Sequence, residues 1–260
     1  MVTNDITCDG VGGIFAYQPR KGFRFSSDSL LLYLTVPQNN YHSILEIGAG
    51  SGIVSFLLAR RYPEATVTAV ELQHEMFDCL CKGIDKNDLQ KSVIPLFGDI
   101  DPIILPASSA DTKQALVNER SFPELPENTL YIDKPFDLIV CNPPYRAAGS
   151  GRLSPHESKN IAVYDDNLPP EKLFKVIRRL SGTTTTIVIS YTHDRHDVYL
   201  HAAMAYDIYP TMIRSYMIAS GTMITVTSFS RVRSELPEHR LIVENVWKAD
   251  VAALYERGTT

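Results

Sequence analysis

The chain has 260 residues, of which 44% are hydrophobic and 21% are charged, and its formal net charge is −5. This composition predicts one or two folded domains and excludes a disordered or collagen-like chain. The acidic balance excludes a basic surface over the whole molecule, so nucleic acid would have to bind through a local patch. Because no basic leader precedes an apolar run and no membrane-length apolar stretch occurs, we expect a cytoplasmic protein without a membrane span.

Strand-like and helix-like segments alternate from residue 43 to residue 206. The predicted strands are Ser43–Ile47, Thr66–Val70, Ser92–Phe97, Pro135–Cys141 and Thr183–Ser190, and the predicted helices are Ile53–Tyr62, Gln73–Lys86, Pro170–Leu180 and Arg195–Tyr206. The strand segments are short and apolar, whereas the helical ones repeat their apolar residues every three or four positions. This alternation predicts an α/β fold with a mostly parallel, doubly wound sheet covered on both faces.

The two ends of the chain depart from this alternation. Near the start, Leu30–Val36 has helical spacing, and Ser27 or Asp28 is a suitable cap. Near the end, the strand-like runs Ile208–Met217 and Met223–Ser230 predict an antiparallel pair. That pair brings the predicted sheet to seven strands, and a helix near residues 251–255 is expected to close the chain.

A proline-containing segment, Asp101–Lys134, separates the third and fourth predicted strands. Loops longer than about 12–15 residues are uncommon between neighbouring elements. The sequence therefore predicts an insertion at about residues 101–134 within a main domain at 43–260, preceded by an N-terminal segment at 1–42.

A glycine-rich loop, Gly48-Ala49-Gly50-Ser51-Gly52, follows the first predicted strand. Glycines let the backbone approach a ligand closely, and this crevice of a parallel sheet is where ligands bind. Glu71 ends the next strand, where a carboxylate can accept both hydroxyls of a ribose. Glu46 would repel a pyrophosphate but attract an ammonium and a sulfonium. The loop departs from the dinucleotide fingerprint at Ile53, which weakens an NAD site without excluding it, and it is not a Walker loop. With Glu71 and Glu46 it predicts a nucleoside-type cofactor, and Glu46 favours one that carries positive charge.

The fourth predicted strand ends in Asn142-Pro143-Pro144-Tyr145. The prolines stiffen the backbone and remove two N–H donors, which leaves the Asn142 oxygen and nearby carbonyls as acceptors for an NH₂ group. Tyr145 offers a flat face on which a planar ring can stack. The tetrapeptide contains no acid or base, so it is typical of a site that orients a neutral amino group.

These motifs resemble those of the class I S-adenosylmethionine-dependent methyltransferases, and Asn-Pro-Pro-Tyr resembles the branch that methylates exocyclic or amide nitrogens. Gln18–Phe25, Asp28 and Leu30–Leu32 are similar to the entry segment of the bacterial tRNA adenine-N6 methyltransferases that act on valine tRNA. The segment from Arg146 to Arg152 is similar to the basic glycine-rich loop of that family.

The resemblance implies a Rossmann-like fold, S-adenosylmethionine as cofactor and an RNA substrate, most closely a tRNA. It implies a cofactor site made of Glu46, Gly48, Gly50, Gly52, Glu71, Asp99 and Asn142, with residues 1–42 packed on that site. It also implies a catalytic group made of Asn142, Pro143, Pro144 and Tyr145. Arg146, Arg152 and Lys159 are candidate RNA contacts, joined by Arg20, Lys21 and Arg24.

Other acceptors remain open at this point. A glutamine amide of a protein and guanine N2 of ribosomal RNA are alternatives, as is a nucleotide- or RNA-binding module without turnover. No metal site is expected, because Cys79 and Cys81 lack a second pair of ligands. His193 and His196 follow the fifth strand and are interpreted as polar loop residues.

Overall fold

The computed structural model describes residues 6–22, 24–106, 130–132, 134–144, 164–165, 167–218, 221–233, 237–242 and 244–256. The strands are β1 (Ile6–Val11), β2 (Ile14–Pro19), β3 (Ser43–Ile47), β4 (Thr66–Glu71), β5 (Val93–Phe97), β6 (Ile104–Pro106), β7 (Leu130–Ile132), β8 (Phe136–Cys141), β9 (Ser181–Thr192), β10 (Tyr209–Met217), β11 (Met223–Ser230) and β12 (Glu238–Ile242). The helices are α1 (Ser27–Thr35), α2 (Ile53–Arg61), α3 (His74–Lys86), α4 (Ile100–Ile103), α5 (Pro170–Leu180), α6 (His196–Ala205) and α7 (Glu244–Glu256), with a 3₁₀ turn at His193–Arg195.

The central sheet has eight strands in the order β12-β10-β11-β9-β8-β3-β4-β5. Strands β3, β4, β5, β8 and β9 are parallel, and β11 runs antiparallel between β9 and β10. The chain moves from β3 outward to β5 on one side and from β8 outward on the other. The strand order therefore reverses between β3 and β8, and ligands bind at such a reversal in open α/β sheets.

Each face of the central sheet packs into its own hydrophobic core. One core contains Ile44 and Leu138 together with buried residues of α1, α2, α3 and α7. The other core contains Leu45 and Ile139 together with buried residues of α5 and α6. Because adjacent strand residues point to opposite faces, alternation along β3 and β8 supplies both cores and confirms the doubly wound α/β fold.

An N-terminal hairpin packs beside this sheet. Strands β1 and β2 pair antiparallel, and β2 contacts α3. The buried side chain of Gln18 donates to Asp9 Oδ2 at 2.8 Å and accepts the backbone N–H of Phe25 at 2.8 Å. Arg24 pairs with the same Asp9 oxygen at 2.7 Å. This network fixes the path of the chain into α1 and gives Arg24 a carboxylate partner within the protein.

Three sequence expectations need correction. The sheet has eight strands rather than seven, because β12 pairs parallel with β10 at the outer edge. Its segment Glu238–Ile242 is exposed and partly charged, as edge strands often are, so it lacks the apolar signal. The cap of α1 is Ser26, which makes no side-chain cap hydrogen bond, and Asp28 lies inside the first turn. The final helix, Glu244–Glu256, is longer than predicted.

The predicted insertion falls largely on residues 107–129, which lie outside the described residues. At its two ends, Ile104–Pro106 and Leu130–Ile132 form a separate two-stranded parallel sheet. Within the described part of the chain, no helix is both long and apolar enough to cross a membrane.

Candidate active site

A cleft opens at the carboxyl ends of the parallel strands. It brings together seven of the predicted site residues, namely Gly48, Gly50, Glu71, Asp99, Asn142, Pro143 and Pro144. Apolar side chains of Leu72, Met76 and Leu168 complete its walls. The cleft has the mixture of apolar walls and converging polar groups that is typical of a small-molecule site.

The glycine loop is held in place by the strand beside it. Gly48 and Ala49 each donate their backbone N–H to the Val70 carbonyl at 2.9 Å. Gly48 and Gly50 have φ values of +72° and +55°. A Cβ atom at Gly48 would meet nothing within 4 Å, and one at Gly50 would come within 3.6 Å of Met76 Cε. The loop therefore leaves open space on the cleft side, which fits a ligand lying against the backbone.

Gly52 has a different reason to be glycine. Its φ is +90°, and a Cβ atom there would lie 2.4 Å from Phe56 Cζ and 2.6 Å from Leu80 Cδ1. Both are buried core side chains. Gly52 was expected to contact the cofactor, but the structure places it behind the cleft wall, where close packing between α2 and α3 excludes any side chain.

Glu71 connects two parts of the cleft wall. Its Oε2 accepts the N–H of Gly50 at 2.7 Å, and its Oε1 accepts the N–H of Gln73 at 2.7 Å. Burial raises the pKa of this carboxyl, and the hydrogen bonds from the backbone of Gln73, Gly50 and Leu72 oppose that rise. A carboxylate has about four lone-pair directions, so each oxygen retains acceptor capacity for a hydroxyl group in the cleft.

Glu46 lies behind the loop rather than on the cleft surface. It is 3% exposed, and the Ser55 hydroxyl of α2 donates to its Oε2. Burial raises the pKa of Glu46 to about 8, although the Ser55 hydrogen bond acts in the opposite direction. The alternation along β3 turns Glu46 toward α2, which explains why this predicted cofactor ligand lies behind the described wall of the cleft.

Asp99 lies at the floor of the cleft after β5. Its Oδ2 pairs with Lys172 Nζ of α5 at 2.5 Å, and its Oδ1 accepts the N–H of Asp101 at 3.1 Å. The aspartate is partly exposed, so it can also contact a ligand. The Lys172 pair orients the carboxylate and connects α5 to the site.

Asn142 is held by side chains from two other elements. Ser190 Oγ on β9 donates to Asn142 Oδ1 at 2.6 Å. On the other side, Asn142 Nδ2 donates to Ser29 Oγ at 3.3 Å and to Asp28 Oδ2 at 3.5 Å, both in α1. The Pro-Pro turn that follows is also anchored, because Tyr199 Oη donates to the Pro144 carbonyl at 3.4 Å. The acceptor motif therefore has a fixed geometry at the cleft edge.

Comparisons with known proteins identify the class. Residues 25–96 match the family model described as lysine methyltransferase. The tRNA1(Val) (adenine(37)-N6)-methyltransferase of Flavobacterium psychrophilum is 24% identical over 87% of this chain and 87% of its own length. The protein of the same name from Pseudoalteromonas translucida is 26% identical over 65% of this chain, and this match spans only 61% of that protein's length. The M. jannaschii TYW2 structure in complex with AdoMet has a TM-score of 0.53 at 14% identity, over 89% of both chains.

The chain is an S-adenosylmethionine-dependent methyltransferase. The resemblance inferred from the sequence motifs and the Rossmann-like fold are both confirmed. The family-model match ends at residue 96, before Asn142, so it covers only the part of the methyltransferase that carries the glycine loop and Glu71. The acceptor motif lies outside this match. The acceptor is therefore inferred from the cleft and from the relatives that align over most of the chain.

Several predicted site residues of the methyltransferase lie outside the described residues, namely Tyr145, Arg146, Arg152 and Lys159. Among the described residues, no group of three or more His, Cys, Asp or Glu side chains is arranged to hold a metal ion. His193 and His196 stack with a centroid distance of 5.7 Å. They hydrogen-bond to Thr225 and Tyr191 respectively, in keeping with polar residues at a strand end.

The sequence analysis missed the residues that hold Asn142 and Asp99. Ser190, Ser29 and Lys172 lie far from these partners in the chain, and each sits in a segment that reads as an ordinary strand or helix. The one available signal was polarity inside an apolar segment. Ser190 is fully buried at the end of a β-branched strand, and buried hydroxyls require a hydrogen-bond partner.

Proposed function

We propose that this methyltransferase transfers the methyl group of S-adenosylmethionine to an exocyclic amino group in RNA, with adenine N6 of a tRNA as the acceptor. The observation that carries the proposal is the Asn142-Pro143-Pro144 turn at the cleft edge, which presents acceptors and contains no acid or base. Relatives that align over most of the chain and are named as tRNA adenine-N6 methyltransferases support the choice of acceptor.

The cleft fits the cofactor on its own geometry. The free space in front of Gly48 would hold the methionine part of S-adenosylmethionine, and Glu71 would accept hydrogen bonds from the ribose hydroxyls. Asp99 would accept a hydrogen bond from the amino group of the cofactor's adenine, and its ion pair with Lys172 would hold the carboxylate in place. When bound, the sulfonium supplies an activated methyl group, so the protein has mainly to align the two reactants.

The residues of the acceptor wall would perform that alignment. The lone pair of an adenine amino group is delocalised into the ring. Asn142 Oδ1 and the Pro143 carbonyl would each accept one of its N–H groups, which turns the lone pair out of the ring plane and stabilises the positive charge that grows on nitrogen. The proton can leave afterwards to water. A base in folded RNA would have to be splayed out or flipped to reach this cleft.

The proposed RNA contacts are local, because the whole chain is acidic. We infer that Arg146, Arg152 and Lys159 contact phosphates and that Tyr145 stacks on the target base. We also propose that residues 1–42 form an entry segment of the site, since Asp28 and Ser29 contact Asn142. With a tRNA as substrate, we propose a cytoplasmic location.

Methyl transfer from labelled cofactor to total RNA and to total protein tests this function. We expect label in RNA of tRNA size, in N6-methyladenosine after digestion. Label in protein, or in 2-methylguanosine, would contradict the proposed acceptor while leaving the methyltransferase class intact.

The salt dependence of tRNA binding provides an independent check. Three to five phosphate contacts predict a slope of about −2 to −3.5 for log affinity against log salt. Replacing Arg146 and Arg152 by alanine should flatten that slope by up to about 1.4. A wild-type slope near zero would favour a protein substrate.

A further inference from the structure

Side chains of Ser190, Ser29 and Asp28 hydrogen-bond the Asn142 amide, and they differ in what they require of it. Ser190 contacts Oδ1, whereas Ser29 and Asp28 contact Nδ2. Ser190 and Ser29 carry hydroxyls, which both donate and accept. They would therefore fit the amide in either of its two orientations. A carboxylate only accepts, so Asp28 is compatible only with the orientation in which the NH₂ group of Asn142 faces α1.

We propose that Asp28 is a positioning residue that fixes the amide orientation of Asn142 and thereby keeps the Asn142 oxygen available to the amino group of the substrate. The inference rests on the proposed function, because that function assigns Asn142 Oδ1 to the target nitrogen. In the opposite orientation Asn142 would present its NH₂ group, and two donors would face each other at the reacting nitrogen.

The second oxygen of Asp28 determines what an isosteric change would do. Asp28 Oδ1 accepts the Ser29 N–H at 3.1 Å and the hydroxyl of Ser26. In an Asp28→Asn variant, the one remaining carbonyl oxygen is needed at this position, because the backbone N–H of Ser29 can only donate. The new NH₂ group then faces Asn142 Nδ2. Two NH₂ groups cannot hydrogen-bond to each other, so the side-chain amide of Asn142 would rotate by about 180° and exchange its oxygen and nitrogen positions.

Burial makes this contact effective. Asp28, Ser29 and Ser190 are 8%, 6% and 0% exposed. Water has little access to replace a mismatched hydrogen bond at such a site, and unpaired buried donors are costly. The fixed acceptor oxygen is therefore a consequence of where α1 begins, and this gives the path of the N-terminal segment a role in the reaction.

The test is a comparison of Asp28→Asn with Asp137→Asn. Asp137 is a matched control, because its Oδ2 accepts two backbone N–H groups, of His42 and Ser43, at 2.8 and 2.9 Å. It lies at the opposite end of β8 from Asn142. Turnover, the KM of the acceptor and the cofactor affinity by calorimetry are measured for both variants and for the wild type.

We expect Asp28→Asn to lower kcat by about 10- to 100-fold, which is less than the roughly 10²- to 10³-fold cost of removing an oriented contact outright, because Asn142 itself remains. Cofactor affinity and the KM of the acceptor should stay within about threefold, and Asp137→Asn should keep kcat within about threefold. Ser190→Ala and Ser29→Ala should lower kcat less than Asp28→Asn does, because neither hydroxyl selects an orientation.

Double substitution separates positioning from folding. In an Asn142→Ala background, Asp28→Asn should lower single-turnover methylation by less than about threefold, because the amide that it misorients is absent. An unchanged kcat, a loss equal to that of Asp137→Asn, or a loss that appears mainly in cofactor affinity would overturn the inference. The fold-changes are measured on whichever acceptor the wild type methylates, RNA or protein, so a wrong acceptor would refute only the proposed function.

Discussion

The two walls of the cleft are built from different kinds of chain segment. The cofactor wall comes from one continuous stretch, in which Gly48 follows β3, Glu71 ends β4 and Asp99 lies two residues after β5. The acceptor wall centres on Asn142, which is held by Ser190 of β9 and by α1. A local stretch supplies the first wall, whereas the second depends on contacts between distant segments. The walls should therefore respond differently to substitution.

The largest difference is expected at the centre of the acceptor wall. Asn142→Ala should lower kcat by about 10²- to 10³-fold, because one oriented contact to the developing charge is lost. Cofactor affinity should stay within a few-fold. Turnover with labelled cofactor and binding by calorimetry measure the two effects, with the exposed Asn40→Ala as control. A variant that keeps near-normal methylation would remove Asn142 from the reaction.

The cofactor wall should show the opposite pattern. Glu71→Ala removes a buried acceptor of the Gly50 and Gln73 N–H groups, so the proposed ribose contact and the shape of the loop are lost together. A lost charged hydrogen bond costs about 1.5–3 kcal/mol, or roughly 10–150-fold in cofactor affinity.

Calorimetry against Glu64→Ala provides the control, because Glu64 is an exposed carboxylate just before β4. Equal affinities for S-adenosylmethionine in the two variants would exclude Glu71 from the cofactor site.

The same contrast explains how much the sequence could predict. β3, α5 and β11 begin and end at the predicted residues, because each is a strongly periodic or apolar segment with clear ends. The glycine loop and the Asn-Pro-Pro turn could be predicted, because each follows its strand directly in the sequence. The β1–β2 hairpin was missed, although Gly12 and Gly13 mark its turn with φ values of +61° and +72°. The partners of Asn142 were unreadable, because β9 and α1 meet only in the folded chain.

Within the cofactor wall, two glycines of one loop serve different purposes: Gly48 borders the space for the ligand, whereas Gly52 packs against core side chains. Gly48→Ala and Gly52→Ala both place a side chain at positive φ, at about 1–2 kcal/mol each. Only the second also drives a Cβ into Phe56 and Leu80, which should destabilise the fold by a further ~1–3 kcal/mol. Urea unfolding should therefore rank Gly52→Ala as the less stable variant. In cofactor titrations of the folded variants, Gly48→Ala should lose more affinity than Gly52→Ala. The reverse order would indicate that Gly52, and not Gly48, contacts the cofactor.

The last prediction concerns the pH dependence of stability behind the loop, at Glu46. Its pKa is about 8 in the folded protein against a usual value of 4.5, because burial disfavours the charged form. The folded state thus holds this proton more tightly than the unfolded state, and stability is lost as the pH rises from 4.5 to 8. The loss is at most about 1.4 kcal/mol for each pH unit.

Glu46→Gln tests this assignment, because the amide can keep the Ser55 hydrogen bond and cannot ionise. We expect the variant to lose less stability than the wild type between pH 6 and pH 8 in urea unfolding without cofactor. Glu71 also has a raised pKa and is present in both proteins, and its charge contributes to the rise at Glu46, so the difference between the two slopes reports Glu46 together with its coupling to Glu71. Parallel stability curves would mean that Glu46 is ionised in the fold, as a direct partner of the cofactor's ammonium group would be.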